Sequence, residues 1–123
     1  MTPGYTPPGW PEEVRPPGAD DWEATAAAYL LDCCPPDFRG YPVLRRHPVV
    51  LARFAVEFVE GQHRSAQTGL AGIRVSLEGR VGAEVIEQAT QVWLEQAARL
   101  ARTRRAVGLV EDALRGRTFV ARM

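Results

Sequence analysis

Two cysteines and two histidines are the first side chains of this 123-residue chain to consider for metal binding or nucleophilic catalysis. Cys33 and Cys34 are adjacent, and neighbouring residues form a disulfide only through a strained ring, so we interpret both as reduced thiols. Their spacing lacks the Cys-x-x-Cys pattern of redox and zinc sites. His47 and His63 are too few and too scattered to complete a zinc site. We therefore predict no metal site.

The remaining polar residues do not form a catalytic set. His63 falls at a seam position of a helical repeat, where a single polar residue more often sets the register than performs chemistry. Gly69, Gly72, Gly79 and Gly82 do not make a phosphate-binding loop, because they lack the strand before it and the Lys-Ser/Thr after it. We predict that the protein is not an enzyme and has no catalytic residues, no cofactor and no small-molecule substrate.

The strongest charge feature is a group of arginines late in the chain. All 15 basic residues other than histidine are Arg, and they balance 15 Asp plus Glu, so the chain as a whole does not attract nucleic acid or an anionic membrane. Arginines at helical spacing could still contact phosphates, although no nucleic-acid-binding motif accompanies them. A nucleic-acid-associated regulator is therefore our alternative hypothesis, and a solvated helix face is the simpler interpretation. The four residues are Arg99, Arg102, Arg104 and Arg105.

The first segment, residues 1–19, is rich in proline and glycine, which predicts an extended arm rather than a helix. Trp10 lies between Pro8 and Pro11, on a segment that has little conformational freedom to lose when it docks. We expect the arm to wrap around its own helices, with Trp10 covering apolar surface. The alternative is that Trp10 binds another protein.

All ten prolines precede residue 49, and two long helical patterns follow them. In each pattern apolar residues recur every seven positions, with His63 as the one polar member, and this is the spacing of a coiled coil. Val85 and Val92 widen the stripe of the second pattern. The first series is Val49, Val56, His63, Leu70 and Leu77, with Ala52, Val59, Ala66 and Ile73 three residues after its members. The second series is Ile86, Trp93, Leu100, Val107 and Leu114.

A shorter helix precedes these two. Asp20 with Glu23 three residues later resembles a capping box, and Pro35 ends the helix. Pro42 starts a short helical turn. Because only about five residues join the long helices, they must run antiparallel. The predicted fold class is all-α: a long antiparallel helical hairpin with a short N-terminal helix packed on it and a Pro-rich arm. We place the arm at 1–19 and a single helical domain at 20–123, with helices at 20–34, 48–78 and 83–115.

The sequence also bears on location. The segment from Met1 to Tyr5 has no basic stretch followed by an apolar run, so it does not resemble a secretory signal. No window approaches the roughly 18 uninterrupted apolar residues of a membrane-spanning helix. We expect a cytoplasmic protein that does not associate with membranes.

Three segments carry a resemblance to known sequences. They are PPGWP at residues 7–11, RGYPVLRRHP at 39–48 and RGRTFV at 115–120. In these segments the chain resembles a group of small helical proteins of high-GC actinobacteria, and the resemblance covers most of the chain. It implies a helical fold and a lineage, and it implies no activity.

The closed end of the hairpin carries more apolar residues than one seam can bury. The helix at 20–34 is about 20 Å long, which is too short to cover both long helices. Soluble monomers seldom leave the resulting apolar patch exposed. We therefore predict a small interaction or adaptor protein that forms a homodimer or binds a protein partner. The candidate contact residues are Ile73, Val75, Leu77, Val81 and Val85, with Trp10 as a further candidate.

Overall fold

Four α-helices and one 3-10 helix form the regular structure of residues 4–121. The computed structural model describes residues 4–121, and no β-strand occurs among them, which confirms the all-α prediction. The first three residues of the predicted arm and the last two of the predicted domain lie outside the described residues. In chain order the elements are α1 (Trp22–Asp32), the 3-10 helix (Pro36–Gly40), α2 (Pro42–Arg46), α3 (Pro48–Leu77) and α4 (Ala83–Leu114).

Both long helices begin and end within one residue of the predicted positions. Pro48 is the first residue of α3, where its missing N–H needs no partner. Gly116 follows α4 with a φ of +98° and donates its N–H to the carbonyl of Ala113 at 3.0 Å. A glycine in this left-handed conformation is a common way to end a helix. The lengths of α3 and α4 thus follow from local sequence signals.

The start of α1 differs from the prediction. The helix begins at Trp22, and its N-cap is Asp21, whose side chain makes no capping hydrogen bond. The capping box that we expected between Asp20 and Glu23 is therefore wrong. The Asp21 carboxylate instead accepts a hydrogen bond from Nε of Arg15 at 3.3 Å. A side chain of the arm thus takes the carboxylate that could have capped the helix.

Contacts between side chains give the relative order of α3 and α4. Partners are found at progressively later positions along α3 and at progressively earlier positions along α4. This is the order of an antiparallel pair of helices. The pairs are Arg53 with Glu111 at 3.2 Å, Glu60 with Arg104 at 3.7 Å, and Gly69 with the ring of Trp93.

The core lies in one half of this helix pair, which we call the proximal half (residues 48–61 of α3 and 99–114 of α4). α1 packs there through Leu30, α2 through Leu44, and the arm through Val14, and all three side chains are buried. Burial of apolar surface from the arm and all four α-helices gives this half most of its stability. The other members of the core are Ala26, Cys34, Leu51, Ala52, Ala55, Val56, Val59, Val107 and Val110.

The remaining part of the pair is the distal half (residues 62–77 of α3 and 83–98 of α4). Within the described chain, none of its residues belongs to the core. Its buried side chains are Ala66, Ile73 and Ile86. A Cβ atom at Gly69 would overlap the Trp93 ring, so this glycine allows the ring to pack against the backbone of α3. The distal half is a two-helix structure with a narrow apolar seam.

Candidate protein-interaction surface

One face of the distal half continues the side of the pair on which α1 packs. At the C-terminal end of α1, Cys33 lines a cavity of about 580 Å³ together with Gln62 of α3 and Arg99 of α4. Seven residues turn a helix by about 20° less than two full turns, so residues spaced by seven stay on the same side. Steps of seven away from the cavity define what we call the open face: Gln62, Gly69 and Ser76 on α3, and Arg99, Val92 and Val85 on α4.

Along α4, the open face presents the apolar side chains of Val85 and Val92. Along α3, it presents small residues at Gly69 and Ser76. Val85 is 47% exposed and Val92 is 58% exposed. On α3 the face carries glycine and serine instead of large side chains, and the Trp93 ring lies against Gly69. Small residues on one helix beside branched apolar residues on the other form a surface of the kind on which an additional helix packs.

The residues predicted for a partner contact are not brought together in one patch. Ile73 is buried, so it belongs to the seam between the helices and is not available to a partner. Leu77 is half-buried at the end of α3, and Val81 is exposed in the connector between α3 and α4 (residues 78–82). Val75 is 87% exposed but lies about 200° around the helix from Ile73, on the side away from α4. Of the five, Val85 alone lies on the open face.

Val92 is the site residue that the predicted set lacks. The sequence contained its signal, because Val92 follows Val85 by seven positions and both flank the seam series Ile86 and Trp93. Exposure separates the two series: Ile86 is buried, whereas Val92 is exposed. Leu94, on the other side of Trp93, is exposed as well.

Trp10 is held by its own chain. Its indole Nε1 donates a hydrogen bond to the carbonyl of Val14 at 2.9 Å, and its ring packs edge-on against Phe119 with the centroids 6.0 Å apart. The arm is fastened next to it, because Arg105 donates from Nε and Nη2 to the carbonyl of Pro8 at 3.0 and 2.8 Å. Trp10 therefore joins the arm to the core and to the tail, which is the segment after α4 (residues 115–121).

The four arginines of the nucleic-acid alternative do not share one face. Arg104 lies 3.7 Å from a carboxylate oxygen of Glu60, and Arg105 is bound to the arm. Arg99 donates to the side-chain oxygen of Gln96 at 2.9 Å. Arg102 is exposed and forms no hydrogen bond or ion pair with any described residue. Arg99 thus lies on the open face, and Arg102, three residues later, lies about 60° around α4 from it.

The side opposite α1 is a charged groove rather than an apolar one. Its cavity of about 630 Å³ is lined by residues of α3, α4, the arm and the tail. At its base, the buried carboxylate of Glu111 accepts hydrogen bonds from Arg53 at 3.2 Å and Arg115 at 3.4 Å. A buried carboxylate needs such partners, because an unpaired one would be strongly destabilising. We assign this cluster to the alignment of α3 with α4.

The thiols lie in an environment that keeps them protonated. Burial raises the pKa of the Cys34 thiol to about 11, and burial also raises the pKa of Cys33. The thiolate is the reactive form, so both residues are poor nucleophiles at neutral pH. Across residues 4–121 there is no group of three or more His, Cys, Asp or Glu side chains placed to hold a metal ion.

Within the described chain, no helix combines the length and the apolar character needed to cross a membrane. No protein-family model, no curated protein and no solved structure matches the chain.

Proposed function

We propose that this chain is a cytoplasmic interaction or adaptor protein that binds another protein helix across the open face. The observation that carries the proposal is the exposure of Val85 and Val92 on a face that α1 covers in the proximal half and leaves bare in the distal half. Apolar surface that a packed layer covers at one end is expected to be covered at the other.

The energetics favour a helical partner. Burying the exposed half of a valine is worth on the order of 1 kcal/mol, so the two valines alone give a weak anchor. A helix lying along the open face would add contacts with the Trp93 ring, which covers Gly69. An amphipathic helix with apolar residues at intervals of three, four and seven matches such a face.

The proximal half supports this function as a rigid base. Its core fixes α3 and α4 in register, and the ion pair between Arg53 and Glu111 adds a directional contact. Binding surfaces on rigid elements lose less conformational entropy when they dock. The base therefore favours binding without contacting the partner.

A nucleic-acid function remains the alternative proposal, and Arg102 is the residue in its favour, because it is exposed and has no partner among the described residues. Phosphate binding through Arg99 and Arg102 would weaken steeply with salt. Fluorescence anisotropy with short duplex and single-stranded probes at about 50 mM salt tests it. Absence of binding at that salt concentration rules the alternative out.

In-cell photocrosslinking tests the proposed function. A photoreactive amino acid replaces Val92 in one variant and Val75 in the matched control, since both are exposed valines on the distal half but on different sides. We expect Val92 to give a nuclease-resistant protein adduct and Val75 to give at least about ten-fold less. Equal yields, no adduct at Val92, or loss of the adduct after nuclease treatment would overturn the proposal.

A further inference from the structure

We infer that the occupant of the open face is a second copy of this chain, packed with its α4 antiparallel to the first α4. This inference rests on the proposed function, because it names the partner of the same surface. It is carried by three features of the described residues: the place where α1 ends, the order of charges along α4, and the area of the open face.

The position of α1 selects the antiparallel arrangement. α1 occupies the same side of the helix pair as the open face and ends beside Gln62 and Arg99. Two copies facing each other with their connectors at the same end would bring α1 against α1. With the connectors at opposite ends, each distal half meets the other distal half. The connector of each copy then abuts the C-terminal end of the other copy's α1.

In this arrangement, an acidic residue of one α4 lies beside basic residues of the α4 in the second copy. In an antiparallel pairing centred on Val92, the residue eight positions before Val92 faces the residue eight positions after it. Glu84 therefore faces Leu100 of the second copy and lies between Arg99 and Arg102 of the second copy. Glu84 and Arg102 form no hydrogen bond or ion pair with described residues of their own chain. The twofold axis repeats the contact, so the pairing gains two sets of opposite charges.

The same register pairs apolar surface with apolar surface. Val92 lies at the twofold axis and meets Val92 of the second copy. Val85, seven positions away, faces Arg99 of the second copy, whose aliphatic stem can cover the valine while its guanidinium group reaches Glu84. On α3, Gly69 lies near the axis as well, because it is beside Trp93. The Trp93 ring that covers Gly69 then lies between the two α3 helices.

The area of the open face predicts a modest affinity. The distal half is 16 residues long on each helix, or about 24 Å, and two packed helices are about 20 Å wide. Such a face buries on the order of 1,000 Å² in a dimer, which is the lower limit for a specific interface. We therefore expect a dissociation constant in the micromolar range.

Charge reversal with rescue tests the register. Glu84→Arg and Arg102→Glu each place like charges at both symmetric contacts, and sedimentation analysis over a concentration series measures the dissociation constant. We expect each variant to dimerise about ten-fold more weakly than the parent, given the usual strength of exposed ion pairs. The double variant restores opposite charges and should return to within about three-fold of the parent.

A negative control and a positive control accompany this test. Arg64→Glu reverses an exposed charge about 200° around α3 from Gln62, and we expect a change of less than about two-fold. Val92→Glu puts two carboxylates at the axis and should weaken the dimer at least a hundred-fold. Far-UV circular dichroism confirms that each monomer is folded.

The outcomes separate this inference from the proposed function. A parent that stays monomeric at high concentration, or a double variant no tighter than its single variants, overturns the antiparallel dimer. If Val92 still gives a nuclease-resistant adduct with a different protein, the proposed function stands while the inference fails. If Val92 gives no adduct at all, the proposed function fails as well.

Discussion

The proximal and distal halves are built from the same two helices and differ in what covers them. In the proximal half α1, α2 and the arm bury a core around Leu30 and Leu51. In the distal half the seven-residue repeat buries a single seam, and Val85 and Val92 remain exposed. The repeat runs through both halves without interruption. It therefore specifies the pairing of α3 with α4, while the number of layers depends on segments outside the repeat.

Ion pairs are divided in the same way. The proximal half joins its helices through Arg53 with Glu111 and through Glu60 with Arg104. Across the part of the chain that the structure describes, no ion pair joins the two helices in the distal half. The proximal half thus contains the contacts that hold α3 and α4 in register, and the distal half presents charges to its surroundings.

Truncating one leucine that packs on the proximal half and one on the distal half gives the largest expected contrast. Leu30 is fully buried and Leu94 is 44% exposed. Leu30→Ala leaves a cavity in the core and should lower the free energy of unfolding by about 2–4 kcal/mol. Leu94→Ala should change it by less than about 1 kcal/mol. Urea denaturation followed by circular dichroism measures both, and similar losses would show that the halves are equally packed.

Adding one methyl group to a glycine tests the seam of the distal half. A Cβ at Gly69 would overlap the Trp93 ring, whereas a Cβ at Gly61, on the same helix, meets nothing within 4 Å. Gly69→Ala should destabilise by about 1–2 kcal/mol through overpacking. Gly61→Ala should stabilise by up to about 1 kcal/mol, because alanine favours the helix. Thermal melts in parallel compare the two, and stabilisation by both would place Trp93 away from α3.

Alkaline pH probes the proximal core through Cys34. Its pKa is raised from 9.0 to about 11 by burial, so between these values the unfolded chain loses the proton first and is stabilised. Stability should therefore be unaffected by this thiol below pH 9 and fall as the pH rises, by about 1 kcal/mol at pH 10. Denaturation at pH 8 and pH 10 measures the fall. Cys34→Ala should reduce it, and an unchanged fall would mean that Cys34 is accessible to water.

Removal of residues 1–9 should have the smallest effect. Residues 4–9 contain no helix, so the helical signal should be unchanged. The hydrogen bonds from Arg105 to Pro8 are lost, and the free energy of unfolding should fall by less than about 1 kcal/mol, because they are exposed. Retention of Trp10 keeps its contact with the core. A large loss of helicity would show that the proximal half depends on the beginning of the arm.

Local signals in the sequence were sufficient for the long helices. Pro48 starts α3, a glycine-containing connector ends it, and Gly116 ends α4, so both helices are predicted to within one residue. These signals act between residues close in sequence. The burial of Glu111 could not be predicted in this way, because its partner Arg53 is 58 positions away.

The candidate surface could be predicted only in part, and Ile73 shows why. Its place three residues after Leu70 in the seven-residue pattern already assigned it to the seam. Its position near the end of the hairpin also groups it with Val75 and Val85. Of these two, Val75 lies on the side away from α4 and Val85 lies on the open face. Separating them requires the direction of each side chain relative to the partner helix. Trp10 presents the same difficulty, since its contact with Phe119 joins opposite ends of the chain.

The seven-residue spacing of the open face also governs how the length of the distal half can change during evolution. Removal of seven residues from each helix would shorten it by about 10 Å and turn the remaining surface by only about 20°. Removal of three or five residues would rotate the surface beyond the deletion out of line with the cavity at Gln62 and Arg99. Insertions and deletions in related chains are therefore expected in multiples of seven, and in α3 and α4 together.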